Sequence, residues 1–172
     1  LNVVPAPGQS GLPHSTFTFK VEDNGGISNG GQNTSLADNT IQVNVISVND
    51  APESADLTIN PALDNTLLED GAYTFAPSDF AFNDNDPEVQ SLLAVKISSL
   101  QTAGSLRLGG VNGTQVTLGQ FISATDIGNN QLVFVPAQNA KGANYATFTF
   151  QVQDSGGTAN GGVDLDQTPN TM

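Results

Sequence analysis

Apolar residues along this chain recur at every second position, over one short run after another. Phe17, Phe19 and Val21 alternate with Thr16, Thr18 and Lys20, and Phe148, Phe150 and Val152 alternate with Thr147, Thr149 and Gln151. A period of two puts the aromatic rings on one face of a strand and the threonines on the other, as in a half-buried antiparallel sheet. Residues 41–45, Ile-Gln-Val-Asn-Val, alternate in the same way. Further strands are expected near 56–60, 72–76, 92–98, 104–109, 114–119 and 131–135. Their inward residues would be Tyr73, Phe75, Val95, Ile97, Leu106, Val116, Leu118, Leu132 and Phe134. Turn formers separate the runs, at Glu69-Asp70-Gly71, Asn83-Asp84-Asn85-Asp86-Pro87, Gly109-Gly110-Val111-Asn112-Gly113 and Asp154-Ser155-Gly156-Gly157. Helical periodicity is absent, and 120–130 is expected to carry at most one helical turn. The pattern predicts an all-β chain, a two-sheet sandwich of about seven short strands.

The same pattern repeats. Residues 1–41 align without a gap over 132–172 at an offset of 131, with 18 identities in 41 positions. That period is too long for a solenoid turn and fits a domain with its linker, so the chain reads as a window on a tandem array. Residues 1–49 would be the C-terminal strands of a preceding repeat plus linker. Residues 50–172 would be a repeat lacking its last strand, the counterpart of 41–48.

Composition narrows the function classes. The net charge is −13, with only four basic residues, too few to neutralise a nucleic-acid backbone. Thirteen of the seventeen acids are Asp, a turn former and a ligand for hard cations. Cysteine is absent, so no disulfide can staple the fold. No apolar run approaches the roughly 18 residues that cross a bilayer, so membrane insertion of this segment is not expected.

Four motifs in order carry a resemblance. They are Val48-Asn49-Asp50-Ala51-Pro52 at the junction, Glu69-Asp70-Gly71 before a strand, Asp84-Asn85-Asp86 after one, and Phe-Thr-Phe-x-Val-x-Asp-x-Gly-Gly near the end. Together they resemble the cadherin-like tandem repeats of large bacterial surface proteins and adhesins, and the likeness covers the whole chain. It implies an immunoglobulin-like sandwich, an extracellular place on a bacterial surface, calcium near the domain junction and a stalk or adhesive role. Ser47 stands where the fuller junction motif of animal cadherins has its first Asp, which argues against a three-ion junction.

Ca²⁺ takes six to eight oxygens, several from carboxylates. Alternate loops of a sandwich gather at one end. The junction with Asn49 and Asp50, the loop with Asp84, Asn85 and Asp86, and the loop with Asp154 are therefore expected together, where a divalent cation would relieve their mutual repulsion. Glu69 and Asp70 belong to another turn, and Asp23 is the counterpart of Asp154 in the preceding copy. All these sequences also make good turns without metal, because Asx side chains bond their own backbone. His14 is replaced by Tyr145 in the copy, which suits a packing position better than a base. No nucleophile–base set, phosphate loop or zinc motif occurs, so an enzyme is not expected.

Three functions remain. The first is a calcium-stiffened, non-catalytic extracellular repeat in contact with neighbouring repeats of the same protein. The second is a self-assembling filament subunit, in which strand 41–48 of one chain completes an identical neighbour. The third is a glycan-binding module, weakened by the absence of Trp and by core-like settings for Tyr73 and Tyr145.

Overall fold

The computed structural model describes residues 2–59 and 67–172, and divides the chain into two compact units, Leu1–Val48 and Asn49–Met172. In the first unit, β1 (Gly11–Phe19) pairs antiparallel with β2 (Asn39–Val45), with Phe19 opposite Asn39, Thr18 opposite Thr40 and Phe17 opposite Ile41. Between these strands lies a 3₁₀ turn, Ser28–Gly30, whose central Asn29 takes the left-handed φ of 55°. Asn tolerates that conformation better than most residues.

The second unit holds two four-stranded antiparallel sheets. One runs in the order β10 (Asn170–Thr171), β9 (Thr149–Asp154), β4 (Leu92–Ser99), β7 (Phe121–Ser123). The other runs β3 (Tyr73–Thr74), β8 (Leu132–Val135), β5 (Ser105–Leu108), β6 (Thr114–Gln115). Both sheets contribute to one hydrophobic cluster. β4, β7 and β9 supply Val95, Ile97, Ile122, Phe150 and Val152; β5 and β8 supply Leu106, Leu132 and Phe134. Phe75 stacks edge-on against Phe148 with ring centroids 5.8 Å apart, and Phe80 meets Phe150 the same way at 5.1 Å. The single helical turn expected in 120–130 is α1 (Ala124–Gly128), capped by Ser123, whose Oγ accepts from Asp126 N at 2.9 Å. Among the described residues, no helix is long and apolar enough to cross a membrane.

Two local expectations fail. Leu118 is 64% exposed, because the chain turns away from the sheet after the buried Val116. Gly119, at φ +77°, donates to Ile97 O at 2.8 Å and closes that bend. The stretch 56–59 forms no named strand, although Leu57 N donates to Thr171 O at 3.0 Å; residue 60 lies outside the described residues.

The blocks 17–41 and 148–172 share strand register and closing backbone bonds. Phe150 stands opposite Asn170 and Thr149 opposite Thr171, the register of Phe19–Asn39 and Thr18–Thr40 displaced by 131. Asp23 N donates to Asn33 O at 2.7 Å, and Asp154 N to Asp164 O at 2.9 Å. Asn160 in the second 3₁₀ turn has φ 56°, matching Asn29. What differs is cover: Phe150 and Val152 are fully buried, whereas Phe19 is 38% and Val21 58% exposed.

Candidate functional site

Alternation along β9 explains why an acid is buried here. Phe150, Val152 and Asp154 share one face, so the carboxylate of Asp154 continues the apolar row and is fully buried. A lone buried carboxylate is costly, and its oxygens are satisfied. Gly156 N donates to Asp154 Oδ1 at 2.7 Å, and Asn49 Nδ2 reaches Oδ1 and Oδ2 at 3.1 and 3.2 Å. Asn49 is held from both ends of its residue. Its Nδ2 also donates to Val163 O at 2.6 Å, and its backbone O accepts from Val163 N at 2.9 Å. The start of the second unit is thereby clasped to β9 and to the segment after it.

With Nδ2 engaged on Asp154, the Asn49 Oδ1 points the other way, onto Gln90 Nε2. Gln90 Nε2 also donates to Asp86 Oδ2 at 2.7 Å. Asp86 accepts from Asp50 N at 3.2 and 3.0 Å, and its own N–H donates to Asp84 Oδ1 at 2.9 Å. The loop 84–90 therefore folds over the junction, stringing Asp154, Asn49, Gln90, Asp86, Asp50 and Asp84 into one polar network. Gly156 fits against it closely, since a Cβ there would collide with Asn49 Oδ1 and Gln90 Oε1.

The network is short of donors. Asp84 Oδ2 and Gln90 Oε1 are buried without a hydrogen-bond partner. The ion pairs found among the described residues, Lys20–Asp38 and Lys141–Glu69, lie elsewhere. Burial raises the pKa of Asp86 above its ordinary value of 3.8; the charges of Asp84, Asp50 and Glu88 push the same way, and only the Asp50 N–H opposes them. Asp86 thus lies in a local excess of negative charge.

The expected site residues separate into three places. Asn49, Asp50, Asp84, Asp86 and Asp154 belong to the junction network. Asn85, beside it, is exposed and stands 3.5 Å from Asn83 Nδ2. Glu69 lies 4.0 Å from Lys141 Nζ, and Asp70, at φ +65°, accepts from Asn139 N at 2.7 Å. Asp23 is exposed in the first unit and makes the same turn bond as Asp154, to Gly25 N at 2.7 Å. Among the described residues, no three carboxylate or imidazole side chains converge closely enough to hold an ion by themselves. A cation at the junction would therefore draw on amide as well as carboxylate oxygens. The oxygens beside the orphaned pair are of that mixed kind, the carboxylates of Asp84 and Asp86 with the amide oxygens of Gln90 and Asn49, hard oxygen atoms without sulfur or imidazole.

Sequence reasoning missed Gln90, Gly156 and the buried Asp166, whose carboxylate accepts from Thr168 N at 2.8 Å and Asn170 Nδ2 at 2.9 Å. The parity of Asp154 with Phe150 and Val152 was the available signal for its burial. Nothing comparable marks Gln90. Comparison with known families, curated proteins and solved structures finds no match for this chain.

Proposed function

We propose that this chain is a non-catalytic structural repeat of a bacterial surface protein, of the cadherin-like, immunoglobulin-type sandwich class, stiffened by calcium where one repeat enters the next. Its work is extracellular and mechanical: to hold a binding part away from the surface it serves, in contact with neighbouring repeats. The observation carrying this is the orphaned oxygen pair, Asp84 Oδ2 and Gln90 Oε1, inside an acidic network to which no cationic side chain among the described residues is paired. A buried unsatisfied acceptor costs roughly 1–3 kcal/mol, and a hard cation would satisfy it.

Asp84 and Asp86 would supply the charge, and Asn49 and Gln90 the neutral oxygens. Calcium bound there would pin the loop 84–90 to the start of the second unit at Asn49 and Asp50. So few carboxylates place the affinity in the range of extracellular modules, about 10⁻⁴–10⁻³ M.

Thermal unfolding in millimolar calcium against excess chelator is the test. Stabilisation by mass action would raise the midpoint, by about 0.4–1.4 kcal/mol of stability at calcium concentrations of about one to ten times Kd. Asp84→Asn with Asp86→Asn should abolish the rise. Superimposable melts of the unaltered chain in calcium and in chelator would defeat the proposal.

A further inference from the structure

Two primary amides link the acids of the junction network, and their surroundings fix which way each one faces. Around Asn49 Nδ2 stand Val163 O at 2.6 Å and both oxygens of the Asp154 carboxylate at 3.1 and 3.2 Å. All three are acceptors, so the NH₂ end must face them and Oδ1 must face the loop 84–90. There Gln90 meets two more acceptors, Asn49 Oδ1 and Asp86 Oδ2, the latter at 2.7 Å. Both take the NH₂ end, and Oε1 is left over, buried without a donor. With Asn49 turned over, its NH₂ would confront that of Gln90 and its oxygen would confront three acceptors. The orphaned oxygen of Gln90 is therefore the last member of a chain of orientations that begins at the buried Asp154.

Gly156 marks where that chain leads. Its N–H donates to Asp154 Oδ1 at 2.7 Å, and a Cβ there would strike both Asn49 Oδ1 and Gln90 Oε1. The two amide oxygens thus lie side by side against one glycine, in space that any other residue would fill. Asp154 holds both walls of that space, Gly156 through its backbone and Asn49 through its side chain. Its own oxygens are occupied by those donors, at the opposite end of the Asn49 amide from Gln90.

We propose that Asp154 is a positioning residue: acting through Asn49, it sets the direction of the Gln90 amide and brings two amide oxygens together beside Gly156. It is not itself a ligand. The consequence for calcium rests on the site proposed above, at Asp84, Asp86, Asn49 and Gln90. With both amides in this sense an ion meets oxygen, and with either one turned over it meets an NH₂ donor. Loss of a group that orients a metal ligand weakens binding by about 10–100-fold. Val163 O still holds Asn49 when Asp154 is changed, so the lower end, about tenfold, is expected here.

A metal-free arm and a calcium arm test this, both by ¹H–¹⁵N NMR of the full chain. In chelator, the unaltered chain should show nuclear Overhauser contacts from the Asn49 NH₂ to Val163, and none to the Gln90 NH₂. Asp154→Asn is isosteric but puts a donor at one acceptor position, and it should shift the side-chain amide signals of Asn49 and Gln90. In an Asn49→Ala background the same change should leave the Gln90 signals in place, because the connection is cut. With calcium as the added ion, shifts in the loop 84–90 should give a Kd about tenfold weaker for Asp154→Asn. Adding that change to Asn49→Ala should weaken binding no further. Equal effects of Asp154→Asn in the two backgrounds, in either arm, would overturn the proposal, since a direct ligand or a loosened fold acts without Asn49. An Asn49 NH₂ found against that of Gln90 would overturn it too. An unaltered chain that does not respond to calcium defeats the calcium reading instead, and the chelator arm still decides the orientation.

Discussion

Asp154 and Asp23 occupy the same place in two copies of one sequence block, which makes a controlled experiment of removing each. Asp154 is fully buried and accepts from two donors, Gly156 N and Asn49 Nδ2; Asp23 is exposed and accepts from Gly25 N. In Asp154→Ala the Gly156 N–H, on an exposed residue, regains water, and Asn49 Nδ2 keeps Val163 O at 2.6 Å. The principal loss is one charge-assisted clasp, worth roughly 1.5–3 kcal/mol, together with the void left by the carboxylate. We expect about 2–3 kcal/mol, which for a domain of this size lowers Tm by about 8–12 °C. Asp23→Ala should cost about 0.5 kcal/mol, the ordinary scale for an exposed position. Both are read from the main cooperative transition by far-UV circular dichroism in chelator, so that no cation contributes. The turn bond is common to the two sites, so the difference isolates the Asn49 clasp and burial. Equal shifts, or a change below about 2 °C for Asp154→Ala, would refute the assignment of that clasp to the stability of the second unit.

The aromatic pair gives a parallel contrast: Phe150→Ala, at a fully buried ring, should cost about 3–5 kcal/mol, and Phe19→Ala, at a ring 38% exposed, less than about 1 kcal/mol, both by urea denaturation. Gly156→Ala should loosen the junction by about 1–3 kcal/mol, since its Cβ collides with Asn49 Oδ1 and Gln90 Oε1; an unchanged urea midpoint would show that these side chains yield freely. Asp86 yields a pH dependence. Its folded pKa lies above the unfolded value, so the folded chain binds this proton more tightly. In metal-free buffer its ionisation therefore penalises the fold at neutral pH, and stability from this group rises as pH falls through the raised pKa toward 3.8. Asp86→Asn should remove that slope from urea melts taken across the interval, and a slope identical to that of the unaltered chain would exclude Asp86 as its source.

Much of the sheet arrangement is written in period-two alternation, because burying one face of a strand forces apolar residues to every second place. Residues 16–21, 92–98 and 147–152 were legible for that reason. Leu118 was not, since alternation continues through residues that the Gly119 bend carries away from the sheet. β7 escaped notice because its three residues are too few to show a period, and Phe121 faces solvent. At the junction, the acids could be read as turn formers or ligands, but their connection depends on Gln90. That neutral residue acts only through the positions of Asn49 and Asp86, contacts spanning 41 and 4 residues. The contact with Asn49, across 41 residues, leaves no local trace.

The near-identical turns at 23–33 and 154–164 have a kinetic meaning. One lies beside a filled core and the other carries exposed Phe and Val side chains, yet the left-handed Asn, the Asx bond and the closing backbone bond are the same in both. A corner that keeps its shape without a core beneath it is encoded by neighbours in sequence. Such short-range structure closes on microsecond timescales, well ahead of pairing between distant strands. Along a polypeptide with many copies of this block, every corner would form independently as a local seed, and maturation would wait on the slower joining of each sheet.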